Sequence, residues 1–143
     1  MAAKSGLNAV FLKVIESKQL IRYITQVGMQ VPLFATATGH AILSQLPEAQ
    51  VESILDKSTY TKFGQGTPQN KAEVLERIQK ARQRGWFFSN SAFTPDLGGI
   101  SIPLVVDGRV FSITTAGPWF RIGNRTNEIA EIMKKAIEVY LPQ

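Results

Sequence analysis

Residues 34–46 read Phe-Ala-Thr-Ala-Thr-Gly-His-Ala-Ile-Leu-Ser-Gln-Leu. Ala35, Thr36, Ala37 and Thr38 carry short side chains and Gly39 carries none, so another part of the chain can approach this backbone closely. Thr38 reads as the N-cap of a helix from Gly39 to about Leu46, with Ala41, Ile42 and Leu46 on one face. The first amides of a helix lack intrahelical acceptors and carry partial positive charge, which suits a carboxylate or other small anion. The competing reading is a small-residue turn into a helix packed tightly on a sheet.

Working outward, Asn8 to Glu16 reads as a strand. Val10, Leu12 and Val14 lie on one side and Phe11 and Ile15 on the other, so it belongs well inside a sheet. Ser17-Lys18 turns it into a second strand over Gln19 to Thr25, forming a hairpin. Gly28 and Pro32 punctuate the loop that follows. Pro47 ends the first helix and opens a short one through Asp56, with Val51, Ile54 and Leu55 inward. Residues 57–66 read as loop. Thr67-Pro68 reads as N-cap and first turn of a helix to about Arg84, striped by Val74, Leu75, Ile78 and Ala81 and stopped by Gly85. Trp86 to Ser89 is a short strand and 91–99 a loop. Ile100 to Val106 and Val110 to Thr115 form a hairpin over Asp107-Gly108-Arg109. A last helix runs from about Thr126 to Leu141, its stripe built from Ile129, Ile132, Met133, Ala136, Ile137, Tyr140 and Leu141. Hairpins separated by helices predict one α+β domain over 1–143, with helices packed on a central sheet. Strands and helices do not alternate, which argues against a Rossmann sheet.

Composition narrows the chemistry. The 143 residues contain no cysteine and one histidine, which excludes disulfides and Cys-ligated zinc and leaves little for a His-based metal site or a Ser-His-Asp triad. The net charge is +5. Its basic residues are dispersed, however, with Lys71, Lys80, Arg82 and Arg84 on a helix beside Glu73 and Glu76, the pattern of a solvated face. No helix-turn-helix or RNA-binding aromatic signature accompanies them, so direct nucleic-acid binding by this chain is not expected. No apolar run is long enough for a transmembrane helix, and Met1-Ala2-Ala3-Lys4 leads into no secretory signal, so no membrane partner and a cytoplasmic location are expected.

Three blocks carry a family resemblance. Leu33 to Pro47 is the first. Arg84-Gly-Trp-Phe-Phe-Ser89, with Phe93-Thr-Pro-Asp-Leu-Gly-Gly-Ile-Ser-Ile-Pro103, is the second. Phe111-Ser-Ile-Thr-Thr-Ala-Gly-Pro118 followed by Arg121 is the third. In order and spacing they resemble IclR-type bacterial transcriptional regulators, over nearly the whole chain. The resemblance implies the C-terminal effector-binding domain, with a GAF-like fold: a curved antiparallel sheet, helices packed on its faces and a ligand pocket at one end. It also implies DNA binding only through an N-terminal winged helix-turn-helix that these residues do not include. The chain would then be either a sensor domain cut from that regulator or a natural stand-alone sensor. Homodimers or homotetramers are expected of the family, and no cofactor or metal is.

Carried over position by position, the resemblance places the effector against Ala37, Thr38 and Gly39, then Ser89, Gly99 with Ile100, and Thr114 with Ala116. Leu20, Tyr23 and Val31 match the apolar wall, where the Tyr23 phenol either meets the ligand or faces solvent. Strand periodicity agrees, since Ser112, Thr114 and Ala116 share one face. The sequence departs from the family pattern in several places. An acid is replaced by Ser89, a cysteine by Gly99, a serine by Ala116 and the lysine of Gly-Lys-Ala by His40. These changes predict a roomier, less polar site, suited to a carboxylic acid with an aromatic or branched far end. His40 is expected to be a structural or interface residue rather than a ligand contact. Trp86, Phe87, Phe88 and Phe93 are expected in the core, and Trp119-Phe120 at an exposed turn. Two other functions compete. An enzyme would need a base beside Ser89 or Thr114 that the sequence does not supply. A protein-interaction module would have its pocket filled by Leu20, Tyr23 and Phe34.

Overall fold

A computed structural model describes residues 1–15 and 25–140. Among these, six strands form one antiparallel sheet in the order β3-β2-β1-β6-β5-β4. The strands are β1 (Ala2–Ser5), β2 (Asn8–Phe11), β3 (Gln30–Pro32), β4 (Phe87–Asn90), β5 (Leu97–Val106) and β6 (Arg109–Pro118). The helices are α1 (Ala37–Leu43), α2 (Glu48–Lys57), α3 (Lys71–Arg84), the short α4 (Trp119–Ile122) and α5 (Thr126–Tyr140).

The central hairpin follows directly from its turn. Asp107 and Gly108 both have positive φ, 50° and 76°, the geometry of a two-residue turn whose twist matches that of the strands. It sets the register Ser101↔Thr114 and Gly99↔Ala116 along ten paired positions of β5 and β6. Side-chain alternation then sends Gly99, Ser101, Ser112, Thr114 and Ala116 to the inner face, and Ile100, Ile102, Ile113 and Thr115 to the outer. Ala2, Ala9, Val31 and Phe87 join the inner core with the buried faces of α1, α2 and α3. Ile100, Ile102 and Trp86 join Ile122 of α4 and Ala130 of α5 in the outer core.

Several expected elements move. The strand expected from Asn8 to Glu16 stops at Phe11 and turns Phe11 inward, because β1 pairs with it through a tight turn at Gly6 (φ 61°). The second strand of the expected hairpin falls almost wholly on residues 16–24, outside the described residues, and β2 pairs instead with β1 and β3. The cap of α1 is Thr36, whose Oγ1 accepts the Gly39 amide at 3.1 Å, so Thr38 lies inside the first turn. Asn70, not Thr67, caps α3 by accepting the Glu73 amide at 2.9 Å. Thr67 is buried and braces the preceding loop, its hydroxyl donating to Ala92 O at 2.6 Å and accepting from the amides of Phe63 and Gly64. Gly85 ends α3 in the left-handed region, as its position predicts. Phe88, expected in the core, is exposed on the outer face of edge strand β4, while Trp86 and Phe87 are buried.

Candidate functional site

All seven residues of α1 are buried, so this helix lies inside the inner core rather than on it. Its closeness has a definite origin. A Cβ built on Gly39 would stand 2.2 Å from Leu33 O and 2.5 Å from Leu33 Cα, so only glycine lets the helix start fold back on its own lead-in. That approach seats Thr38 over β6. The Thr38 and Thr114 hydroxyl oxygens are 2.6 Å apart, and Thr114 Oγ1 lies 2.6 Å from Ser101 Oγ on the neighbouring strand. Three neutral hydroxyls thus form a chain from α1 across β6 to β5. Moving the cap from Thr38 to Thr36 makes this possible, because a capping hydroxyl would be committed to its own backbone.

Next to this chain, Ser89, Gly99 and Ala116 lie abreast on β4, β5 and β6. A Cβ on Gly99 would reach Ser89 Oγ at 3.4 Å and Thr114 Cγ2 at 3.6 Å, ordinary contacts that leave room for one carbon and crowd a longer side chain. Gly99 is buried, Ser89 and Thr114 are half-buried and Ala116 is exposed, so this row is deepest at its centre and opens to the surface at Ala116. The structure therefore brings Thr38 of α1 beside Thr114 and sets Ser89, Gly99 and Ala116 next to them, while Ala37 and Gly39 flank Thr38 along the helix.

Ile100 is a correction. Its side chain points to the outer face and is fully buried in the core under α5, so only its backbone belongs to the expected site. Val31 is buried in the inner core on edge strand β3, with β2 and β1 between it and β6. Leu20 and Tyr23 lie outside the described residues. Ser101 is the residue that sequence reasoning missed. Two positions from Gly99, it had the strand period as its signal. Ser112 is fully buried on the same face, and among the described residues its hydroxyl has no hydrogen-bond partner.

His40 is structural in this geometry. Its Nε2–H donates to Phe34 O at 2.6 Å, and burial pushes the imidazole down to about 4, so the ring is neutral. The sole histidine of the sequence is thereby held by a carbonyl of the segment leading into α1, and among the described residues no hydrogen bond joins it to Ser89 or Thr114. Among the described residues, no group of three or more His, Cys, Asp or Glu side chains is arranged to hold a metal ion. Two open clefts lie away from the hydroxyl chain. One of about 300 Å³ is lined by Leu43, Val51, Leu75 and Arg82, and one of about 370 Å³ by Lys4, Leu7, Ile54 and Lys57. Neither contains a residue of the Ser89–Gly99–Ala116 row.

The sheet order and the buried helix over β5–β6 match a fold seen in solved structures. Thermotoga maritima IclR matches with a TM-score of 0.87 at 22% identity, over 94% of this chain and 56% of that one. An IclR homologue from Microbacterium hydrocarbonoxydans, complexed with 4-hydroxybenzoate, matches with a TM-score of 0.80 at 20% identity, over 94% and 55% of the two chains. The family model "Bacterial transcriptional regulator IclR C-terminal" covers residues 1–139, and the chain belongs to this family. Among curated relatives, the acetate operon repressor of Salmonella typhimurium is 27% identical over 142 residues, 96% of this chain and 52% of the repressor. KipR of Bacillus subtilis, an HTH-type transcriptional regulator, is 29% identical over 101 residues, 71% of this chain and 40% of KipR. The chain thus spans about half the length of the curated relatives it matches.

Proposed function

We propose that this domain is a non-catalytic sensor that binds a small carboxylic acid beneath the start of α1 and passes the binding event to a DNA-binding domain of the same regulator. The observation that carries the reading is the Thr38–Thr114–Ser101 hydroxyl chain beside the small-residue row Ser89–Gly99–Ala116. Neutral hydroxyls orient an anion without burying a countercharge, and a row of small side chains leaves its far end an apolar berth. The ligand-bound homologue supports an aromatic acid as the first probe. Ala37, Thr38, Gly39, Ser89, Gly99, Thr114 and Ala116 would meet the ligand, with Leu20 and Tyr23 as its apolar wall. The mechanism is a population shift: the acid favours one arrangement of α1 against β6, and the attached domains follow.

The test is calorimetric titration with 4-hydroxybenzoate and a panel of branched and aromatic carboxylic acids. A saturable heat is expected from at least one acid, weakened at least tenfold by Gly99→Leu in a variant that keeps its melting temperature. A site elsewhere is the meaning of unchanged affinity in Gly99→Leu. If no acid binds the folded full-length regulator, the sensor reading fails.

A further inference from the structure

Helix α2 carries its charges on separate flanks. Glu48, Glu52 and Asp56 recur every fourth residue on the flank toward α3, where Lys71 bridges Glu52 and Asp56. Val51, Ile54 and Leu55 turn into the core. Beyond that stripe, Gln50, Ser53 and Lys57 follow at intervals of three and four, and none of them is acidic. This second flank faces the turn between β1 and β2 across the cleft of about 370 Å³, with Lys4, Gly6 and Leu7 as the opposite wall. Residues 1–15 contain no Asp or Glu, so neither wall supplies an acid. Among the described residues, no hydrogen bond or ion pair engages the side chains of Lys4, Gln50, Ser53 or Lys57. The other cleft differs, because Lys71 holds its Glu52 and its Arg82 donates to Ser44 O at 2.9 Å.

The wall opposite α2 is fixed in place. The Leu33 amide donates to Leu7 O at 3.0 Å, and β1 and β2 pair on either side of the turn. A Cβ built on Gly6 would have no neighbour within 4 Å, so the tip of the turn is open to an incoming molecule. Between the walls lies carbon, from buried Ile54 and from Leu7, which is 38% exposed. Two ammonium groups, a carboxamide and a hydroxyl around an apolar floor suit a dianion with a hydrocarbon body, whereas a bare ion would leave the floor unused. Gln50 and Lys57 stand about 10 Å apart along α2 at 1.5 Å per residue, so one ligand that meets both is elongated. We propose that this cleft binds an aliphatic dicarboxylate. Lys57 and Lys4 take the two carboxylates from opposite walls, Gln50 Nε2 and the Ser53 hydroxyl donate to them, and the carbon chain lies on Leu7 and Ile54. No residue of this cleft belongs to the site proposed beneath α1, and neither depends on the other.

The test is a nuclear magnetic resonance titration of the chain with adipate, a six-carbon dicarboxylate. The amides of Gly6, Leu7, Gln50 and Ser53 should shift and saturate, with Kd on the order of 1 mM or below. Lys4→Gln and Lys57→Gln, both at exposed positions, should each raise Kd at least fivefold. Lys62→Gln removes the same charge from an exposed loop and should leave Kd unchanged. Hexanoate, with the same carbon chain and one carboxylate, should bind at least tenfold more weakly. The proposal is overturned by shifts that do not saturate, by an affinity that survives both cleft substitutions, or by hexanoate binding as tightly as adipate. Displacement of adipate by an equal concentration of inorganic phosphate would reveal plain counter-ion attraction and would also overturn it. Shifts confined to Thr38 and Thr114 would place adipate beneath α1, overturning the cleft and leaving the proposed function standing.

Discussion

Gly39→Ala separates helix chemistry from the close approach that seats α1. Two general effects favour the alanine. Alanine is about 1 kcal/mol better than glycine inside a helix, and it narrows the unfolded ensemble. The structure opposes them with one contact. The new Cβ would lie 2.2 Å from Leu33 O, about 1.2 Å inside an ordinary 3.4 Å contact, with Leu33 Cα and C nearly as close. All three atoms are backbone, so no rotamer change relieves the clash, and the buried α1 must shift against its lead-in. Overpacking of a tight core costs about 1–3 kcal/mol, and separating a fully buried helix from its neighbours adds a cavity term. The net expectation is a loss of about 3 kcal/mol. Gly99→Ala is the internal control, since its Cβ meets neighbours at 3.4 and 3.6 Å and should change stability by less than about 1 kcal/mol. Urea denaturation of the three proteins, followed by tryptophan fluorescence, reads both differences from the midpoints. The displacement would also part Thr38 from Thr114, so Gly39→Ala should lose acid binding even where it remains folded. Equal stability of Gly39→Ala and Gly99→Ala would refute the close-approach argument.

Further expectations come from single contacts. Thr114→Val removes the middle of the hydroxyl chain, strands Thr38 and Ser101, and should cost about 1–3 kcal/mol in a urea melt. His40 has its folded pKa depressed to about 4 from an ordinary 6.5, so its contribution is complete above pH 6.5 and declines as the unfolded chain takes up the proton. Stability should therefore fall by about 2 kcal/mol between pH 6.5 and 5, and His40→Asn should flatten that slope. A wild-type slope retained in the variant would assign it to other groups. Asn70→Ala should cost about 1 kcal/mol through loss of the α3 cap, whereas Thr67→Val should exceed that by freeing the amides of Phe63 and Gly64.

The sequence made some of this legible and concealed the rest for identifiable reasons. The Asp107-Gly108 turn fixed the β5–β6 register, and with it the shared face of Ser112, Thr114 and Ala116. The α2 residues Val51, Ile54 and Leu55 and the α3 residues Val74, Ile78 and Ala81 are buried as their spacing predicts. Strand β1 gave no signal, because Ala2-Ala3-Lys4-Ser5 has little strand preference of its own and is held by pairing to β2 and β6. Strand β3 was hidden by Pro32, which is tolerated because β3 is an edge. Both cap assignments failed alike, at α1 and α3. Where several Thr or Asn residues precede a helix, local pattern does not choose among them, and tertiary hydrogen bonds do. Thr38 was drawn to Thr114 and Thr67 to Ala92, leaving Thr36 and Asn70 to cap.

Thr114 has one hydrogen and two hydroxyl neighbours, so the chain it centres has a direction. If Thr114 donates to Thr38, then Ser101 donates to Thr114; if Thr114 donates to Ser101, Thr38 supplies the hydrogen in return. The two arrangements differ only by rotation of three O–H bonds. A partner that can only accept, such as a carboxylate, draws the hydrogens toward itself, and an ammonium or other pure donor sets them the opposite way. Ser101, fully buried, would then turn its O–H bond according to what arrives at Thr114, the half-buried middle member of the three. In this respect the proposed site would register the polarity of its guest as well as its shape, by the order of protons in a row of neutral groups.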